Sequence, residues 1–139
     1  MAIETPCASA CRIRLPFFTL HAHVHMSRLV GLPAPDFTAL DGGFQPVSLA
    51  DFRGRPVLIS VVPSLDTPVC SLQTKRFNEE LAKLPADLAV MTVSMDLPFA
   101  QARWCGNAGV ETVKTFSDHR TGAFGEAWGV LMKEIRLLA

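Results

Sequence analysis

The chain has 139 residues, 49% of them hydrophobic, with 13 basic side chains against 13 acidic ones. Balanced charge supplies no field to hold nucleic acid or an anionic membrane, and no apolar run approaches the length of a bilayer span. Such a composition describes one packed domain with a modest core, not a disordered chain.

Residues 1–29 (MAIETPCASACRIRLPFFTLHAHVHMSRL) show no sustained helical or strand period, and the stretch reads as a poorly ordered leader. It lacks the layout of a secretory signal, so the expected setting is the reducing cytoplasm. Four cysteines are too few for a secreted disulfide scaffold of this size. Cys7 and Cys11 precede His21, His23 and His25, donor types that suit zinc. A zinc finger, however, separates its pairs by about a dozen residues, and only nine lie between Cys11 and His21. The cluster reads as chance, and no metal is expected.

From residue 30 the text becomes regular. Extended segments flank a turn at Asp41-Gly42-Gly43. Val57 to Val62 is a continuous apolar, β-branched run, the pattern of a buried strand. A helix of about four turns follows, with Val69, Leu72, Phe77, Leu81 and Leu84 as its expected apolar side and Pro85-Ala86-Asp87 as its stop. Leu88 to Met95 is a second buried strand. Strand, helix, strand at this spacing is a βαβ unit, whose strands run parallel. A second helix is expected with Asp96 as cap, Pro98 in its first turn and Gly106 as its stop. Residues 110–116 suggest a short strand, and Thr121 to Val130 a third short helix. The class is α/β, in one layered domain. Met91, Met95, Phe99 and Trp104 read as core filling.

The chemistry concentrates at P-S-L-D-T-P-V-C, residues 63–70. Thr67 is a good N-cap and Pro68 a good first helical residue, since proline lacks only an amide hydrogen that is unpaired there. Cys70 then occupies the third helical position, where free N–H groups and the positive helix end favour thiolate, the reactive form. Position alone leaves two readings open: a reactive thiolate, or an inert buried thiol beside an ordinary cap. The pattern T-x-x-C, in place of the C-x-x-C of a disulfide exchanger, favours attack on a small oxygen electrophile whose departing oxygen needs a hydrogen bond.

These residues resemble the peroxiredoxins, whose pattern P-x-x-x-T-x-x-C falls on Pro63, Thr67 and Cys70. The likeness is closer to their thiol peroxidase subfamily (atypical two-cysteine type). APDFT at 34–38, SLADFRG at 48–54, SLDTPVC at 64–70, DLPFAQARWCG at 96–106 and SDHRTGAFGEAWGVL at 117–131 are all similar to it. The resemblance covers roughly 30–139, so the domain division is 1–29 and 30–139. It implies a thioredoxin-like fold and a cycle without metal, haem or flavin. Cys70 would reduce hydrogen peroxide or an alkyl hydroperoxide and become a sulfenic acid. Cys105, at the subfamily's resolving position, would close a disulfide with it, and thioredoxin would reduce that disulfide. A homodimer is a family expectation.

Two departures from the pattern carry expectations of their own. Residues 1–29 replace the family's usual N-terminal hairpin. The chain also stops at Ala139, before the arginine that binds peroxide in the family and before two strands and a final helix. Arg53, Arg55, Arg76, Arg103, Arg120 and Arg136 do not align with that arginine. Loss of such a donor is worth about 10²–10³ in rate, and the strand at 57–62 would lack one neighbour. The alternative to an active peroxidase is therefore a catalytically impaired, truncated peroxiredoxin that is unstable or binds a partner.

Overall fold

The computed structural model describes residues 13–15, 18–20, 32–81, 83 and 86–139. Its centre is a five-stranded sheet in the order β4-β3-β7-β6-β5. The strands are β3 (Thr38–Leu40), β4 (Pro46–Ser48), β5 (Val57–Val61), β6 (Ala89–Ser94) and β7 (Lys114–Ser117). β5, β6 and β7 are parallel, as the βαβ reading requires, while β3 is antiparallel to both β4 and β7. Among the described residues three α-helices accompany the sheet, α1 (Pro68–Leu81), α2 (Pro98–Ala108) and α3 (Ala123–Trp128), with a short 3-10 turn at Leu49–Phe52. Mixed α/β architecture with a thioredoxin-like arrangement is the expected class.

β6 is buried along its whole length, which is why its sequence is apolar without alternation. Its odd-numbered residues Met91 and Val93 join Phe37, Phe116, Phe124 and Leu138 in one core. Val90 faces the other core, with Val62, Leu65, Trp104, Val110 and Val113, which Cys70, Phe77, Leu81 and Cys105 also border. The asymmetry between the two sides matters for function, because both described cysteines belong to the second.

β5 pairs only with β6 among the described residues, at the edge of the sheet. The turn at Asp41 forms as anticipated, with the Asp41 carboxylate accepting from Gly43 N and Gln45 N at 2.8 Å each. Two antiparallel pairs have no counterpart in the sequence reading. β8 (Leu131–Met132) pairs with β9 (Leu137–Leu138), and β1 (Ile13–Leu15) pairs with β2 (Phe18–Leu20). Strands of two or three residues are too short for alternation to register. The rest of the 1–29 segment, with Cys7, Cys11, His21, His23 and His25, lies outside the described residues, as does Leu84.

Several local expectations shift. The face that α1 buries is Cys70, Thr74, Phe77 and Leu81, while Val69 and Leu72 are exposed. Thr74 can take a fully buried place because its hydroxyl donates to the Cys70 carbonyl at 2.9 Å. That satisfied polar group moves the inward face one residue along. α2 passes through Gly106 and ends at Gly109, whose φ of 64° is the left-handed cap that glycine adopts at low cost. Phe99 is not core filling: it is 72% exposed and packs its ring against Phe44, centroids 4.6 Å apart. Met91 and Trp104 are buried, as expected, and Met95 packs against the first core.

Candidate active site

Strand β5 delivers the chain to the site. Val62 continues the ladder by donating its N–H to the Val93 carbonyl at 3.0 Å, and Pro63 ends it. Residues 63–67 then turn through nearly local contacts. Thr67 N donates to the Ser64 carbonyl at 3.2 Å, and the Thr67 hydroxyl donates to the same oxygen at 2.9 Å. The Thr67 hydroxyl therefore does not cap the helix as its sequence position suggested. It closes the turn that precedes the helix. The Thr67 carbonyl accepts from Ser71 N at 2.9 Å, and α1 begins at Pro68 with Cys70 as its third residue.

Asp96, just past the end of β6, fixes this loop. Its carboxylate accepts from Ser64 Oγ at 2.7 Å, Leu65 N at 2.7 Å and Ser94 Oγ at 2.8 Å. The sequence reading made Asp96 the cap of α2. Instead Leu97 holds the cap position with no side-chain bond, and the carboxylate points to a loop some thirty residues earlier. A charged acceptor with three short donors is a strong tie. Leu65, the residue it holds, is 2% exposed, which seats the loop in the second core.

Cys70 is half-buried at the start of α1, against that core. Cys105 is also half-buried and borders the same core from α2. Both thiols are free. The Cys105 sulfur lies 3.8 Å from Thr115 Oγ1 on β7. Beside it opens a groove of about 520 Å³, lined by Cys105, Ala102, Phe52 and Phe116 together with the charged Asp41, Glu111 and Lys114. Cys70 does not line that groove. The structure thus brings Pro63, Thr67 and Cys70 into one loop–helix unit, and Cys105 to the same core by a different route.

The helices are linked near both cysteines. Trp104 Nε1 donates to Ser71 Oγ at 3.1 Å, and Arg103 lies 3.9 Å from Asp66 in the loop. Among the described residues no ion pair or hydrogen bond joins an arginine to Cys70. Buried Gln101 donates from Nε2 to Ser94 Oγ and to the Phe116 carbonyl, at 3.0 and 2.9 Å, which ties α2 to the sheet. Asp118, 1% exposed, accepts from Phe124 N and Gly125 N at the start of α3. Burial pushes its carboxyl above the usual range, with the backbone N–H groups and Arg136 opposing. The Asp96 tether and the Ser71–Trp104 bond were not foreseen as parts of the site.

A half-buried cysteine thus sits on the first turn of a helix, reached through a P-x-x-x-T-x-x-C loop. The redoxin family profile matches residues 29–138. The chain belongs to the redoxin family. Within this family it is 60% identical over 110 residues to the thiol peroxidase of Bacillus subtilis (strain 168), covering 79% of this chain and 65% of the relative. Against the thiol peroxidase of Listeria monocytogenes (serovar 1/2a) it is 53% identical over 116 residues, 84% of this chain and 70% of the relative. The redoxin chain thus spans about two thirds of the length of the curated relatives it matches. Among solved structures, a peroxiredoxin-like protein from Aquifex aeolicus superposes with a TM-score of 0.69 at 38% identity, covering 76% of this chain and 63% of that one. No helix among the described residues is long and apolar enough to cross a membrane.

Proposed function

We propose that this redoxin chain is a thiol-dependent peroxidase whose substrates are hydrogen peroxide and small alkyl hydroperoxides. The Cys70 thiolate attacks the terminal oxygen and breaks the O–O bond, so its sulfur is oxidised to a sulfenic acid while the other oxygen leaves as water or, from an alkyl hydroperoxide, as the alcohol. Cys105 then forms a disulfide with Cys70, releasing water. A thioredoxin-type dithiol returns both cysteines to thiols by exchange. The observation that carries the reading is the placement of Cys70 on the first turn of α1, behind a loop tethered by Asp96. The half-burial of Cys105 against the same core supports its role as the resolving thiol.

The chemistry is assigned to residues 30–139, supported by the extent of the family match, with residues 1–29 taking no part and the cytoplasm as the setting. A homodimer belongs to the same reading. Exposed Val69, Leu72, Leu97 and Phe99, near the starts of α1 and α2, supply apolar surface that a second copy would cover.

The test is peptide mapping of the fully reduced chain after brief exposure to stoichiometric hydrogen peroxide. A Cys70–Cys105 linkage within seconds, absent from Cys70→Ser, is the expected result. Slow oxidation spread over all four cysteines would overturn the reading in favour of an impaired peroxiredoxin.

A further inference from the structure

The hydrogen bond from Trp104 to Ser71 has an unusual address. Ser71 directly follows Cys70, and Trp104 directly precedes Cys105. Among the described residues no other side-chain hydrogen bond joins α1 to α2. The bond is also well protected. The Trp104 indole is 9% exposed, packed among Val62, Leu65, Val90, Val110 and Val113, and Ser71 is half-buried. A buried indole N–H needs an acceptor, and here the acceptor belongs to the other helix.

While this bond holds, Cys105 stays with its sulfur toward Thr115 and its carbonyl accepting from the N–H groups of Gly109 and Val110. The Cys105 sulfur faces Thr115 and borders a groove that Cys70 does not line, so in the proposed cycle the last turn of α2 leaves that arrangement to bring the two sulfurs together. Trp104 is the neighbour that must move with it. From this we infer that Trp104 and Ser71 are positioning residues, a latch whose opening sets the rate at which Cys105 reaches oxidised Cys70. The inference rests on the peroxidase reading and names what controls its second step. In that step the Cys70 S–O bond breaks and the S–S bond forms. The Cys105 proton leaves with the hydroxyl as water, so the Cys70 sulfur is reduced and the Cys105 sulfur oxidised.

The latch divides the fate of the sulfenic acid. A second peroxide converts any sulfenic acid that lingers into sulfinic acid, which thiols do not reverse. A slower latch therefore sends more Cys70 to that end. The experiment uses the full chain, unaltered and as Ser71→Ala, Ser71→Thr and Trp104→Phe. After one equivalent of hydrogen peroxide, the decay of the Cys70 sulfenic acid is followed by timed trapping with dimedone and mass spectrometry, separately from its formation. The fraction of sulfinic acid is then measured at excess peroxide.

Ser71→Ala and Trp104→Phe are expected to close the disulfide roughly three- to tenfold faster, the effect of one lost hydrogen bond. Both should yield less sulfinic acid, and Ser71→Thr, which keeps the hydroxyl, should return to the unaltered rate. A merely structural bond would lower thermal stability without moving this partition. Closure at or below the unaltered rate in Ser71→Ala, with sulfenic acid still forming at Cys70, would overturn the inference even if Trp104→Phe fails to fold. Absence of any Cys70 sulfenic acid in the unaltered chain would overturn the peroxidase reading, and the latch with it.

Discussion

The surroundings of Cys70 and of Cys105 are built on opposite plans. Before Cys70, a five-residue loop is held by a carboxylate with three short donors and by a threonine hydroxyl turned back on its own chain. After Cys105, one helical turn remains before Gly109, the thiol's sulfur lies 3.8 Å from the Thr115 hydroxyl, and a groove opens beside it. A cysteine that must meet a small reactant in a fixed geometry profits from a rigid approach. A cysteine that must travel profits from sitting near a helix end, where local opening is cheapest. The two plans suit the first and second steps of the proposed cycle.

Breaking the rigid side should have the largest effect. Asp96→Ala strips the acceptor from Ser64, Leu65 and Ser94 at once, leaving a part-buried N–H and two hydroxyls to find new partners. A loss of about 2–4 kcal/mol is expected from such a charge-assisted group, measurable by urea unfolding, together with slowed oxidation of Cys70 by peroxide. Retained stability and rate would mean that the loop is held by its apolar burial alone.

On the other side, Gly109→Ala should loosen rather than disable. A methyl group there meets nothing within 4 Å, so the cost is confined to the left-handed backbone. About 1 kcal/mol is expected. Because that strain falls on the last turn of α2, disulfide closure should quicken while the oxidation of Cys70 keeps its rate. Stopped-flow measurement of the two phases separates these outcomes, and equal slowing of both would erase the contrast between the two regions.

The smallest effect concerns the buried carboxylate at the start of α3. Asp118 is raised by burial, so between its unfolded value near 3.9 and its higher folded value the native chain binds more protons than the unfolded one. Its favourable contribution is complete below the unfolded value and is lost as pH rises through the folded one. The stability of the unaltered chain relative to Asp118→Asn should thus decline as pH rises from about 4, read from denaturation midpoints along a pH series. A flat difference would mean that the backbone donors at Phe124 and Gly125 offset the burial.

What the sequence disclosed was chiefly local. Leu88 to Met95 announces a strand because burial on both faces removes alternation; Val57 to Val62 reads the same way, although β5 lies at the sheet edge and is mostly half-buried. Pro63, Thr67 and Cys70 announce the loop and helix start because that geometry closes within eight residues. What it concealed depended on distant partners. Asp96 has every property of a cap, yet Ser64 and Leu65 compete for its carboxylate and win, and their position opposite it follows only from the pairing of β5 with β6. Gly106 looks like a stop, but a glycine on an open helix face is tolerated and the left-handed residue is Gly109. A period of 3.6 could not separate Val69 and Leu72 from Cys70 and Thr74, because the buried threonine counts as polar until its bond to the Cys70 carbonyl is known.

Trp104 also gives the molecule an optical consequence. The chain has two tryptophans. Trp128 sits on the opposite side of the sheet, stacked on Phe124 with centroids 5.4 Å apart. Trp104 alone borders the core that both described cysteines share. Its emission should therefore change in colour and intensity as the indole loses Ser71 and meets water, while Trp128 stays constant as an internal reference. A Trp128→Phe chain would carry a single fluorophore whose light traces the redox state of the site in real time, without a dye and without an enzyme coupled to the assay.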